Sequence, residues 1–235
     1  MKREAVYETR FGYLWLGGLG RCINERLPKA EPRFAEVVFI DDTVPEDIFR
    51  NRRRMSFSSF CERYAPTEAD IIIAQGEPAL REDLYCRVKK AGYALATILS
   101  EGAFVSPYAH VGEGVFIFPG AAVEDHAVVE DDVCIADHAV VAHDVHIGKH
   151  VCVEAQAVVP GHVIVGEGAF IGIGALLRDR VRVGAHAVVA MGSVVMRDVP
   201  EAVEVMGNPA RACRRIDTSQ RVFAEYYHGT ESGKM

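Results

Sequence analysis

The sequence predicts a two-part chain, a small parallel α/β unit followed by a three-sided parallel β-helix. Two observations carry that expectation. From position 105 onward every sixth residue is a branched aliphatic, and the first hundred residues instead alternate short apolar runs with helical stretches around a glycine-rich turn. A period of six suits neither an α-helix nor a simple strand, and it marks a repeat in which each hexad supplies one short strand and a corner.

The aliphatic series runs from Val105, Val111 and Ile117 to Val189 and Val195, sixteen positions without an insertion. Four residues after each stands a small or β-branched residue, such as Ala109, Val115, Ala121, Ala127 and Val133. Both sets are expected to point inward, because a narrow triangular prism holds one bulky group per side and a small one beside it. Three hexads make a coil of eighteen residues, so residues eighteen apart stack. With strands ~4.8 Å apart, the sixteen hexads give about five coils and a height of roughly 25 Å. Gly112, Gly148, Gly166, Gly172 and Gly184 are expected at corners where the backbone takes positive φ.

The N-terminal hundred residues predict strands at 13–16, 37–40, 71–74 and 95–98. Helices are expected at 21–27 and 78–91. The run 51–54, Asn-Arg-Arg-Arg, reads as a solvated loop or helix end, and 222–227 as either a short docked helix or a frayed tail. The domain expectation is therefore 1–100 for the α/β unit, 101–213 for the β-helix and 214–235 for a C-terminal tail.

Composition narrows the function classes. The chain has 235 residues, 49% of them hydrophobic, and a formal net charge of −7. That balance argues against a general nucleic-acid binder, which shows a basic face. The N-terminus, MKREAVYETR, lacks an apolar signal region, and no run approaches the ~20 apolar residues of a membrane span. Six cysteines without a CxxC pair fit reduced thiols, so a cytoplasmic protein without membrane or nucleic-acid partners is expected.

At this point the residues resemble a known family. A small α/β unit, then ADIIIAQGEPALRE, then unbroken hexads containing AHDVHIG and ending in VMGNPAR, is similar to the sialic acid O-acetyltransferases and nucleotide-aminosugar N-acetyltransferases. The resemblance covers about residues 12–213 and implies a left-handed coil, a homotrimer, acetyl-CoA as cosubstrate and no metal. It implies N-acetylation of a nucleotide-linked deoxyaminosugar for surface glycan synthesis, with O-acetylation of sialic acid or a related sugar as the alternative.

The resemblance also implies roles. His143 is the family's general base and Asp144 its orienting acid. Gly161, eighteen residues on, offers its backbone N–H to the thioester oxygen. Ile173, Gly174, Met191, Gly192 and the Asn208-Pro209-Ala210-Arg211 loop are implied along the coenzyme A groove; Arg211, Arg214 and Arg215 read equally as partners of the coenzyme A phosphates or as a plain basic C-terminus. Gly17, Gly18 and Gly20, with Asp41, Asp42 and Gly76, are implied at the nucleotide-sugar site. Cys152 stands where the family usually carries a histidine near the acceptor, and Leu19 replaces a second one.

The chemistry suits these residue types. An attacking amine or hydroxyl must lose a proton, and imidazole titrates near working pH. A glycine lets a fixed donor approach the developing oxyanion. His126, His138, His150, His162 and His186 share one slot, three after the aliphatic, and are expected to be structural or solvated. His146 and His150 are the candidates to replace the missing acceptor histidine. The five-residue spacing of His138 and His143 also matches the zinc ligands of hexapeptide carbonic anhydrases, and a non-catalytic trimeric scaffold is the blandest reading.

Overall fold

A computed structural model describes residues 9–14, 34–43, 45–49 and 51–218. Its first part is a six-stranded sheet ordered β3-β4-β2-β1-β5-β6. The strands are β1 (Thr9–Leu14), β2 (Phe34–Ile40), β3 (Asp47–Phe49), β4 (Arg52–Met55), β5 (Ala69–Ile73) and β6 (Ala94–Leu95). All neighbours are parallel except β3 and β4, which form an antiparallel hairpin. The first strand thus begins at Thr9 rather than at 13 and is described to Leu14, with 15–16 outside the described residues. The arginines of the 51–54 run lie in β4, an inner strand between β3 and β2, not in a loop or helix end. Alternation explains it, since Arg52 and Arg54 are half-buried and Arg53 is exposed, with Arg54 bidentate to Asp47 at 2.5 and 2.8 Å.

Two helices complete the described part of the unit, α1 (Phe57–Arg63) and α2 (Pro78–Lys90). Sequence reading missed α1, whose seven residues carry too little periodicity to register. It begins at Ser56, whose hydroxyl accepts the Ser59 N–H at 3.1 Å. Helix α2 starts on Pro78, where the missing N–H costs nothing, and ends in Arg87, Lys89 and Lys90, which suit the negative end of the dipole. The helix expected at 21–27 and the segment 222–227 lie outside the described residues.

From Ile98 the chain winds as a three-sided prism of two-residue strands. Face 1 carries Ile98–Leu99, Phe116–Ile117, Cys134–Ile135, Cys152–Val153, Phe170–Ile171 and Val188–Val189. Face 2 carries Phe104–Val105 through Val194–Val195, and face 3 His110–Val111 through Arg182–Val183. Every ladder joins residues eighteen apart, as in Phe116↔Cys134 and Val123↔Val141. The single strand expected at 95–98 is two: 94–95 closes the first sheet and 98–99 opens face 1. The strands Val203–Gly207 and Ala210–Arg215 form an antiparallel hairpin that extends face 1 beyond the last coil.

The prism core is the predicted one. Ile117, Val123, Val129, Ile135 and Val141 are fully buried, with Val115, Ala121 and Ala127 beside them. The corners differ from expectation. Gly112, Gly148, Gly166, Gly172 and Gly184 do not take positive φ; a Cβ on any of them would lie within 2.4–2.8 Å of backbone in the next coil. Positive φ belongs to the slot three after the aliphatic. It is filled by Gly114, Gly120, Gly168, Gly174 and Gly192, and by His126, Asp132, His138, Asp144, His150, Gln156, His162, Arg180 and His186. Histidine and aspartate are among the side chains that tolerate this region best. So the histidine slot is a backbone slot, and one glycine set serves close approach while the other serves conformation.

The two parts lock through one buried side chain. Arg81 of α2 is wholly buried and donates to Ile73 O at 2.9 Å and Gln75 O at 2.7 Å within its own unit. Its other nitrogens reach Asp132 of the prism, meeting the carbonyl at 2.9 and 3.0 Å and pairing with the carboxylate. His150 donates its Nδ1–H to the second Asp132 oxygen at 2.9 Å, and the Tyr85 ring stands edge-on to His150 at 4.9 Å. Around this network Phe39, Ile72, Ala96, Phe116, Phe118 and Cys152 form an apolar junction.

Gly166→Ala should lower stability by about 2–3 kcal/mol, since its Cβ would meet Ala185 N at 2.5 Å and the rungs cannot part without breaking the ladder. Gly174→Ala, with open space but φ +65°, should cost only about 1 kcal/mol. Denaturant midpoints of the two variants check the order.

Candidate active site

The eighteen-residue coil sets His143 beneath Gly161 on the edge between faces 2 and 3. A Cβ on Gly161 would lie 2.7 Å from His143 Cε1 and 2.9 Å from Nε2, so only glycine leaves the imidazole its place. The His143 side chain is 54% exposed, and its Nδ1 stands 2.8 Å from Asp144 Oδ2. That contact has His143 Nδ1–H donating and leaves Nε2 as a lone-pair acceptor. The His143 hydrogen bond also holds the Asp144 carboxyl below the usual range, helped by the nearby charges of His162 and His126. Asp144 sits at φ 56° in the corner slot, which turns its carboxylate back toward the neighbouring ring.

Two other histidines pair with exposed acids, and neither has this setting. His126 Nδ1 lies 3.0 Å from Asp125, and His146 Nε2 lies 2.6 Å from Glu130. One coil above His146 stands Ile164 rather than a glycine. His162, expected to be structural or solvated, lies beside the dyad: its Nδ1 is 3.8 Å from Asp144 Oδ2 and its ring meets His143 edge-to-face at 5.3 Å. One potential ligating atom from each of His143, Asp144 and His162 lies within 4.8 Å of the others, with the first two already bonded to each other. His138, the other half of the zinc spacing, sits on a different edge, over Gly120.

The remaining implied residues fall into separate groups. Ile173 and Met191, exposed on the edge between faces 1 and 2, line a cavity of about 220 Å³ with Glu154, Phe170, Val188 and Glu204. Gly174 and Gly192 take the positive-φ corners beside them. Burial raises the Glu154 carboxyl above its ordinary value. Asn208 and Pro209 form the exposed turn of the C-terminal hairpin, while Ala210 and Arg211 line a second cavity of about 300 Å³ with Arg197 and Asp198. Arg214 is paired with Glu204 rather than free for a phosphate. Within one chain, face 2 separates the His143 edge from the Ile173 edge.

In the N-terminal unit, Gly17, Gly18 and Gly20 lie outside the described residues. Asp41 is buried and accepts the N–H and hydroxyl of Thr43 at 2.9 and 2.6 Å. Asp42 accepts the Phe57 N–H at 2.8 Å and pairs with Arg87 at 2.5 Å. Its burial opposes ionisation, but Phe57 and Arg87 outweigh that and hold the carboxyl below its ordinary value. Gly76 lies in the loop after β5, its N–H donating to Gln75 Oε1 at 2.8 Å. Cys152 is a correction. It is wholly buried under the α/β unit, stacked on Cys134 across adjacent rungs, and burial pushes its thiol well above the ordinary range. It cannot touch an acceptor. His150 cannot replace it either, being buried on Asp132.

Residues 126–161 match the bacterial transferase hexapeptide family (six repeats). The prism has the hexapeptide-repeat fold. The solved acetyltransferase domain of PglB from Neisseria gonorrhoeae, in complex with acetyl coenzyme A, is 27% identical with a TM-score of 0.82, covering 88% of this chain and 100% of that one. PerB from Caulobacter crescentus, in complex with CoA and GDP-perosamine, is 28% identical with a TM-score of 0.78, covering 87% and 97%. Both alignments extend beyond the hexapeptide repeat, whose coil is a left-handed parallel β-helix. Among curated relatives, galactoside O-acetyltransferase of Lactococcus lactis is 35% identical over 63 residues, 27% of this chain and 30% of that protein. The chain spans under a third of the length of such relatives, so they speak for the repeat alone. No helix among the described residues is long and apolar enough to cross a membrane.

A thiol reagent added to native protein should modify the exposed Cys61, Cys86 and Cys213 and leave Cys134 and Cys152 untouched until denaturant is added. Peptide mapping of the labelled sites checks this, and rapid labelling of Cys152 would return it to the surface.

Proposed function

We propose that the chain is an acetyl-CoA-dependent N-acetyltransferase acting on the amine of a nucleotide-linked aminosugar. The observation that carries this reading is the His143–Asp144 dyad lying directly against Gly161, a base with a fixed tautomer beside a peptide with no side chain in the way. The likeness to the PglB domain and to PerB over most of the chain supports it, because the α/β unit is included and PerB's structure holds CoA together with a nucleotide-sugar.

In this reading the acceptor amine attacks the thioester carbonyl while His143 Nε2 takes its proton. Asp144 holds the ring and stabilises the imidazolium that forms. The Gly161 N–H meets the carbonyl oxygen as charge builds there, with no reorganisation at that moment. The carbon–sulfur bond then breaks, and the coenzyme A thiolate leaves and recovers the proton from His143. General-base help of this kind amounts to about 10²- to 10⁴-fold.

Assembly as a homotrimer completes the groove. The outward column of face 2, Phe104, Ala122, Val140, Val158, Leu176 and Val194, is entirely apolar, with Phe104 56% and Leu176 45% exposed. The α/β unit covers face 1 up to about Cys152, and face 3 presents His110, His146 and Arg182. A second copy laid on face 2 brings its own edge toward Ile173 and Met191, so that a pantetheine chain runs between two prisms. Ala210, Arg211 and Arg197 at the cap then suit the nucleotide end of coenzyme A, where guanidinium bonds to phosphate are strong. The α/β unit takes the nucleotide of the acceptor.

His143→Ala should lower kcat/KM at least ~100-fold with a CoA-release assay on nucleotide-aminosugars, while the oligomer stays intact by light scattering. Unchanged turnover would move the base elsewhere, and transfer to hydroxyl sugars alone would replace N- by O-acetylation.

A further inference from the structure

His162, expected to be structural or solvated, meets the dyad through its side chain at two points. Its ring packs edge-to-face on His143 at 5.3 Å and its Nδ1 faces Asp144 Oδ2 at 3.8 Å, while its backbone N–H makes to His143 O, at 3.2 Å, the bond that other corners of the prism also make. That carboxylate oxygen is the one bonded to His143 at 2.8 Å. One oxygen therefore stands between two imidazoles, near one and within reach of the other. Because Gly161 and His162 are consecutive, a single peptide one coil on supports both the ring and the acid of the dyad.

We infer that His162 is a positioning residue for the general base, acting through Asp144. Neutral, it braces the His143 ring and leaves the carboxylate to His143. Charged, it draws Asp144 Oδ2 into an ion pair of its own and loosens the bond that fixes the His143 tautomer. Charged and titratable groups face it from the coils on either side. Asp144 faces it directly, Arg180 fills the equivalent corner slot one coil on with Asp179 beside it, and His126, paired with Asp125 at 3.0 Å, fills the slot one coil before Asp144. This inference rests on His143 serving as the base, and it makes activity depend on two imidazoles staying neutral.

The test compares wild type with His162→Asn, since asparagine accepts the φ of 60° that His162 occupies. In wild type the acid limb of kcat/KM against pH should approach a limiting slope of about two, and in His162→Asn about one. At the alkaline plateau the variant should lose about 3- to 10-fold in kcat with KM for acetyl-CoA within about twofold. A slope of one in wild type, or an unchanged slope of two in the variant, would overturn the inference. Imidazole NMR supplies a readout apart from turnover. The His143 Nδ1–H signal should be lost at higher pH in wild type than in His162→Asn, and coincident midpoints would count against the role of His162. Full turnover by His143→Asn would instead defeat the base reading, leaving the NMR comparison standing on its own.

Discussion

The molecule depends on a register of eighteen residues per coil. Parallel strands of only two residues have little hold on their own, and each is kept in place by hydrogen bonds to the strands eighteen before and after it. The inward aliphatics stack at that same interval, so the ladder and the core specify one alignment together. A slip of one residue would turn every aliphatic outward. It would also part His143 from Gly161, so the constraint that holds the fold holds the chemistry.

The corners show how that register treats each residue. Two glycine sets look alike in sequence and do different work. Gly148 and Gly166 lie where the next coil's backbone leaves no room for a Cβ, while Gly114 and Gly174 lie where φ is positive. Polar side chains share the second slot with glycine, and this is why histidines recur there. A histidine placed for its backbone still brings an imidazole, and the one at His162 lands beside Asp144.

The prism was legible because it repeats: sixteen hexads report the same inward pattern, and adding eighteen to 143 finds Gly161 without coordinates. Features that occur once were harder to read. Arg81 gives no sign in the sequence that it crosses to Asp132, since α2 also carries Arg87, Lys89 and Lys90 and any one of these reads as solvated. Cys152 stands in the outward slot of its hexad, and only the α/β unit above face 1 buries it. The arginine run at 51–54 looks like a surface loop until Asp47 is seen opposite Arg54. His162 shares its slot with four other histidines and so does not stand out in the sequence, although nineteen residues separate it from His143 and one coil plus one residue makes neighbours.

The most direct measurement is a crystal structure of the protein with a non-hydrolysable acetyl-CoA analogue. The dyad and the bare peptide above it predict the carbonyl oxygen within hydrogen-bond distance of the Gly161 N–H, and the carbonyl carbon open to attack from the side of His143 Nε2. Coenzyme A bound with its acyl group away from the edge between faces 2 and 3, or against His146 or Glu154, would contradict it.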